Sequence, residues 1–280
     1  MNMPYYRLTA LSLLLITGIC ACAQTPEPLV FRLMPSDTIT EDVVEPISPL
    51  LLVANANVPQ TIQPIRRPLY DTLDLSYKEL RTIEFKYCAH NWVAKIDLSH
   101  NRIRKFGQRF GKVSTDSLIV SYNRISTFKK SGLFNRLVYL DASNNRIEDL
   151  PTYWNDMSRL TYLDLSYNQI KRLPIHFKVG KLQVLNLESN DLTDLPHDMR
   201  YCAYLEVLSL RSNKLRTVPR CIGKMEGLKV LDLSDNSISR LPSWIYRMQN
   251  LTEIDLSGNL LEPEEIERLR SRLPGCRVIG

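Results

Sequence analysis

Leu163-Asp164-Leu165-Ser166-Tyr167-Asn168-Gln169-Ile170 decides the fold, because the chain keeps returning to it. One turn later it reads Leu185-Asn186-Leu187-Glu188-Ser189-Asn190-Asp191-Leu192. The asparagine of this string recurs at 101, 123, 145, 168, 190, 213, 236 and 259, at intervals of 22 or 23 residues. A degenerate copy, Leu73 to Leu80, precedes them with Lys78 in the asparagine slot. About nine units therefore fill residues 66–280. A fixed period of this length marks a stacked array, in which each unit buries its apolar face only against its neighbours.

Within a unit the residue types have separate tasks. Leu-x-Leu suits a short strand whose alternation sends both leucines inward and the intervening residue to solvent. Asparagine both donates and accepts, so where the chain leaves the strand it can satisfy backbone groups that the turn would strand. That role is structural, and the asparagines are assigned no partner. Most units continue with Leu-Pro: Leu150-Pro151, Leu173-Pro174, Leu195-Pro196 and Leu241-Pro242, with Val218-Pro219 as a variant. Proline lacks a donor and fixes φ, which suits the start of a new segment. Met199, Cys202 and Leu205 have the spacing of a short helical or 3-10 return. At the end, Glu262 to Arg270 reads as a true helix, with proline and acids first and bases later, and Leu273 to Ile279 as a last strand.

These strings resemble the leucine-rich repeat family in its 22–23-residue Leu-Pro form. The resemblance implies an α/β solenoid, a horseshoe with a parallel concave sheet, short helical or 3-10 convex segments, and a C-terminal helix cap over 262–280. It also implies a binding module whose concave sheet meets a partner.

Residues 1–23 have another character. Arg7 is their sole charged side chain, and Leu8 to Cys20 form an apolar run too short to span a bilayer. This reads as a signal peptide. Ala21-Cys22-Ala23 suits ordinary cleavage, whereas Ile19-Cys20-Ala21-Cys22 resembles a bacterial lipobox with Cys22 as the acylated residue, although Cys20 departs from that pattern. An apolar run ending at cysteine favours the lipobox, a requirement that simple secretion lacks. Residues 24–65 carry seven prolines, no glycine and five acids against Arg32, the composition of an extended spacer.

Chemistry is hard to find. His90, His100, His176 and His197 fall at different phases of the repeat, and none pairs with a cysteine at metal-ligand spacing. No nucleophile elbow or phosphate-binding glycine loop occurs. The aspartates of Leu-Asp-Leu-Ser recur once per unit, as a ladder and not a catalytic pair. The expectation is no enzyme, no metal and no cofactor. Cys202 takes a core slot and Cys276 lies in the cap. One period beyond Cys202 falls at Met225, four residues past Cys221, an offset that argues against a Cys202–Cys221 bridge.

Departures from the generic Asp and Ser of the outward columns mark the candidate surface. Tyr139 and Tyr162 should stack in adjacent units, with Tyr122 and Tyr167 at the strand exits nearby. Glu188 and Arg211, one unit apart, meet a partner or pair with each other. Arg102, Arg124 and Arg146 each follow the repeat asparagine and form a basic column, either a solvated rim or a seat for an acidic ligand. With Arg7, Arg32 and the five spacer acids set aside, the array holds 34 Lys and Arg against 25 Asp and Glu, a net charge of +9. Nucleic acid is disfavoured by export, not by charge.

The sequence thus points to a non-enzymatic binding module of the cell envelope or secreted space, lipid-anchored at Cys22. Its expected partner is a protein or an acidic surface ligand. The alternative is an intracellular signalling scaffold, since 23-residue Leu-Pro repeats are similar to those of animal and plant proteins that bind small GTPases. That alternative requires Leu8–Ala23 to be no targeting signal.

Overall fold

The protein is seen in a computed structural model that describes residues 72–83, 92–106, 114–128, 132–152 and 157–280. All of them lie within the unit Ser48–Gly280. The expected signal segment, the acylation site Cys22 and the spacer 24–65 lie outside the described residues.

Each repeat contributes one short strand. In chain order these are β1 (Thr72–Asp74), β3 (Trp92–Asp97), β5 (Ser114–Ile119), β6 (Tyr139–Asp141), β7 (Tyr162–Asp164), β8 (Val184–Asn186), β9 (Val207–Ser209), β10 (Val230–Asp232), β11 (Glu253–Asp255) and β12 (Arg277–Ile279). They form one ten-stranded sheet in that spatial order, and every pair is parallel. Register follows the repeat: Tyr139 faces Tyr162, Leu140 faces Leu163 and Asp141 faces Asp164. The alternation expected of Leu-x-Leu is present, with Leu140, Leu163, Leu185, Leu208 and Leu231 sealed from solvent and their strand neighbours half-buried.

The asparagines hold the turns. The side-chain amide of Asn168 donates to the carbonyls of Ala142, Leu165 and Ser166 at 3.0–3.1 Å. Its carbonyl oxygen accepts the Ile147 N–H at 3.0 Å. The same pattern recurs at Asn123, Asn145, Asn190, Asn213 and Asn236. Every atom of the amide that can bond does so, which explains why this residue type recurs. In the degenerate first unit, Asn101 accepts from the N–H groups of both Lys78 and Leu80.

The residue before each of these positions has left-handed backbone: Tyr77, His100, Tyr122, Asn144, Tyr167, Ser189, Ser212, Asp235 and Gly258, at φ between 51° and 68°. This reversal turns the following asparagine back into the core. It is unusual for a bulky side chain and costs about 1 kcal/mol or more at each non-glycine position.

Beyond the turns the repeats differ along the array. The early units pair a second, two-stranded sheet, β2 (Thr82–Ile83) with β4 (Lys105–Phe106), and pack Phe106, Phe128 and Phe134 ring against ring. Later units use 3-10 turns, at Gly132–Arg136, His197–Tyr201, Arg220–Lys224 and Ile245–Arg247. Both the 3-10 return and the closing helix agree with the sequence. Helix α1 (Pro263–Arg272) starts with proline, Glu264 and Glu265, ends with Arg270 and Arg272, and buries Ile266 and Leu269. β12 then adds to β11.

Candidate functional site

The solvent face of the sheet is built from the half-buried residues of each strand. At its centre the Tyr139 and Tyr162 rings stack 4.4 Å apart and 7° from parallel, as their register requires. Burial, with nearby carboxylates adding to it, lifts both phenols well above the ordinary tyrosine range, so both stay neutral. Beside them stand Asp141 and Asp164, paired across the same two strands. The Asp164 carboxylate accepts from the backbone and hydroxyl of Ser166 at 2.8 and 2.6 Å, and from the Asn186 amide at 3.1 Å. Burial nevertheless outweighs these bonds and raises its carboxyl to about 6. The centre of the face is therefore aromatic and acidic, although the array as a whole is basic.

The other sequence-marked residues fall into separate groups. Tyr122 does not join the Tyr139–Tyr162 pair. It lies in the left-handed column and stacks on His100 at 4.3 Å, and His100 stacks on Tyr77 at 4.2 Å. Tyr77 and Tyr122 are 70% and 52% exposed, far more than the pair on the sheet. The sequence reading named Tyr122 and Tyr167 at the strand exits but did not follow that position through the repeats, so it missed the ladder with His100 and Tyr77. The signal was available in the residue before each repeat asparagine and before Lys78, where four of nine positions are aromatic.

Tyr167 donates its hydroxyl to Glu188 at 2.9 Å. Arg211 stands 3.9 Å from Glu188 but 3.0 Å from Asp235, so its closer partner is one that sequence reasoning did not name. Tyr167, Glu188, Arg211 and Asp235 thus form one chain of polar contacts across four repeats. Arg102, Arg124 and Arg146 occupy equivalent places, each backbone N–H bonding a carbonyl of the preceding unit (Leu80, Ile103 and Ile125) at 2.8–2.9 Å. Arg102 pairs with Glu79 at 3.0 Å. Arg124 and Arg146 have no ion pair among the described residues.

Cys202, Cys221 and Cys276 are free thiols, the first two buried. Burial pushes the Cys221 thiol up to about 12. Among the described residues, no group of three or more His, Cys, Asp or Glu side chains is placed to hold a metal ion. No helix among them is long and apolar enough to cross a membrane.

A parallel sheet with one strand per 22–23 residues and a ladder of buried asparagines defines a leucine-rich repeat solenoid. Residues 135–192 and 203–261 match the family described as leucine rich repeat, which makes this a leucine-rich repeat protein. Among solved structures it is similar to a leucine-rich repeat protein of Leptospira interrogans, with 26% identity and a TM-score of 0.61 over 74% of this chain and 60% of that one. It also shares its fold with a chain in the Toll–Spatzle complex of Drosophila, at 22% identity and a TM-score of 0.55 over 66% of this chain and 30% of that one. The chain thus spans under two thirds of the length of either neighbour. No sequence among curated proteins matches it.

Proposed function

We propose that this chain is a non-enzymatic protein-binding module, displayed outside the cytoplasm on a lipid anchor at Cys22, that grips a basic segment of its partner on the solvent face of the sheet. The observation that carries the reading is the stacked Tyr139–Tyr162 pair beside Asp141 and Asp164. Tyrosine offers a flat apolar body and a polar tip, and its ring attracts a cation. Two carboxylates at the ring edge add the countercharge for a partner's lysine or arginine. A fold does not by itself imply a partner, but the neighbour solved in the Toll–Spatzle complex is consistent with the same use of the fold. The apolar run that ends at Cys22 supports export and acylation.

Crosslinking capture from the native envelope tests the surface. Asp141→Asn with Asp164→Asn keeps the shape of the face and removes its charge. Capture should fall at least tenfold, and undiminished capture by that double variant would move the site off this face. Feeding labelled fatty acid tests the anchor. Label should appear on the wild type and vanish from Cys22→Ala, whereas a soluble cytosolic protein retaining Met1 would remove both anchor and export from the reading.

A further inference from the structure

The left-handed column has a gap. Tyr77, His100 and Tyr122 stack without a break, then Asn144 stands where the next ring would be, and Tyr167 resumes the aromatic series. The column advances by one strand spacing per repeat, so Tyr122 and Tyr167 are anchored about 9–10 Å apart on either side of Asn144. One face of Tyr122 is spent on His100, and the other looks toward the gap. At the floor, the Asn144 side-chain amide makes no hydrogen bond among the described residues.

Exposed bases stand in the adjacent column, at Arg124 and Arg146 of the two repeats that carry Tyr122 and Asn144. In the column after the repeat asparagine, Arg102 is neutralised by Glu79 and Lys214 by Asp191. Arg124 and Arg146, the two exposed bases next to the gap, have no carboxylate partner among the described residues. A ring face, an amide without a hydrogen bond and two guanidiniums without a carboxylate among the described residues are the elements that recognise a ring bearing hydroxyls and a carboxylate.

We propose that this slot binds one residue of an acidic polysaccharide, a pyranose carrying a carboxylate, independently of the sheet face. The C–H face of the sugar lies on Tyr122, its hydroxyls meet the Asn144 amide, and its carboxylate takes the guanidinium forks of Arg124 and Arg146. Thickness favours a sugar over a peptide group. A flat group touching both walls at ordinary carbon contact spans only about 7–8 Å. A puckered pyranose with axial substituents fills the remaining 2 Å or so.

The test is calorimetric titration of the full chain with oligogalacturonate, with neutral dextran of equal length and poly-L-glutamate as comparison probes. Oligogalacturonate should bind and dextran should not. Tyr122→Ala, and separately Arg124→Gln with Arg146→Gln, should each weaken binding at least tenfold. Lys214→Gln, in the same column but away from the gap, should change it less than twofold. Asn144→Tyr places in the column a residue that its neighbours already carry at the same φ, closes the gap, and should abolish binding while the melting temperature holds. Tyr139→Ala with Tyr162→Ala should leave it unchanged, so failure here is separable from failure of the sheet-face reading. No binding of oligogalacturonate overturns the proposal. So does equal binding of dextran, or tighter binding of poly-L-glutamate that ignores Tyr122→Ala and marks the column as a seat for acidic protein.

Discussion

At the scale of single residues, the repeat asparagine and the sheet aspartate show opposite balances between burial and bonding. Asn168 bonds four backbone groups from a buried position. Asn168→Ala strands groups that water cannot reach, and chemical denaturation should register a loss of roughly 2–4 kcal/mol. Asp164 also has three hydrogen bonds, yet burial holds its carboxyl at about 6 against 3.8 in the open chain. An acid raised in the folded state binds more protons there than when unfolded, between about pH 4 and 6. Stability from this group is therefore greatest below that window and is lost as pH rises through it. Measured stability against pH should slope downward across the window in the wild type, and Asp164→Asn should remove that component. The same titration should weaken partner capture below pH 6, since a protonated Asp164 no longer attracts a cation. The tyrosine pair is half-buried as well as presented, so Tyr139→Ala with Tyr162→Ala should cost about 0.5–1.5 kcal/mol for the lost stack. For that reason the charge-removing variant is the cleaner probe of binding.

At the scale of elements, the strands and the cap follow from periodicity, whereas the return segments and the outer columns depend on which residues meet in space. A period of 22–23 residues with Leu-x-Leu dictates both the parallel strands and their register, because slipping by one residue would expose every leucine. The stacking of Tyr139 on Tyr162 was legible for the same reason. The Tyr77–His100–Tyr122 ladder lies in a turn with positive φ, where no strand or helix pattern applies, so periodicity read along the strands passes over it. Arg211 shows a second limit: Asp235 is its closer partner because the left-handed turn delivers it to the neighbouring column. Close packing between units sets local limits too. A Cβ at Gly227 would sit 2.8 Å from the carbonyl oxygen of Ala203, a backbone atom that cannot step aside. Gly227→Ala should destabilise by about 1–3 kcal/mol in thermal or denaturant unfolding. In the cap, Leu269 is wholly buried, and Leu269→Ala should cost about 2–5 kcal/mol.

At the scale of the whole array, a parallel sheet needs a way to stop. The last strand, β12, pairs with β11 through Arg277 N–H and the Ile279 carbonyl, which leaves the Val278 carbonyl on its outer side. Arg270 of α1 reaches that carbonyl at 3.3–3.4 Å and the Gly280 carbonyl at 3.4 Å. An uncovered strand edge is a template for another chain. Arg270→Ala should therefore raise concentration-dependent self-association, read by sedimentation velocity, with little change in the spectrum of the folded protein. The sequence announced the cap as helix and strand, but the guanidinium that closes the edge depends on the angle at which they meet.

The uniform direction of the strands carries one more consequence. All ten point the same way, and the turn columns beside them change in a fixed order, from the stacked Tyr77–His100–Tyr122 ladder in the early repeats to the Arg211–Asp235 ion pair in the later ones. Such a face has no two-fold axis and is not its own mirror. A linear polymer laid across it meets a text that can be read in one direction only. Reversing the order of monomers should be as disruptive as changing them, and a palindromic ligand gains nothing from its symmetry.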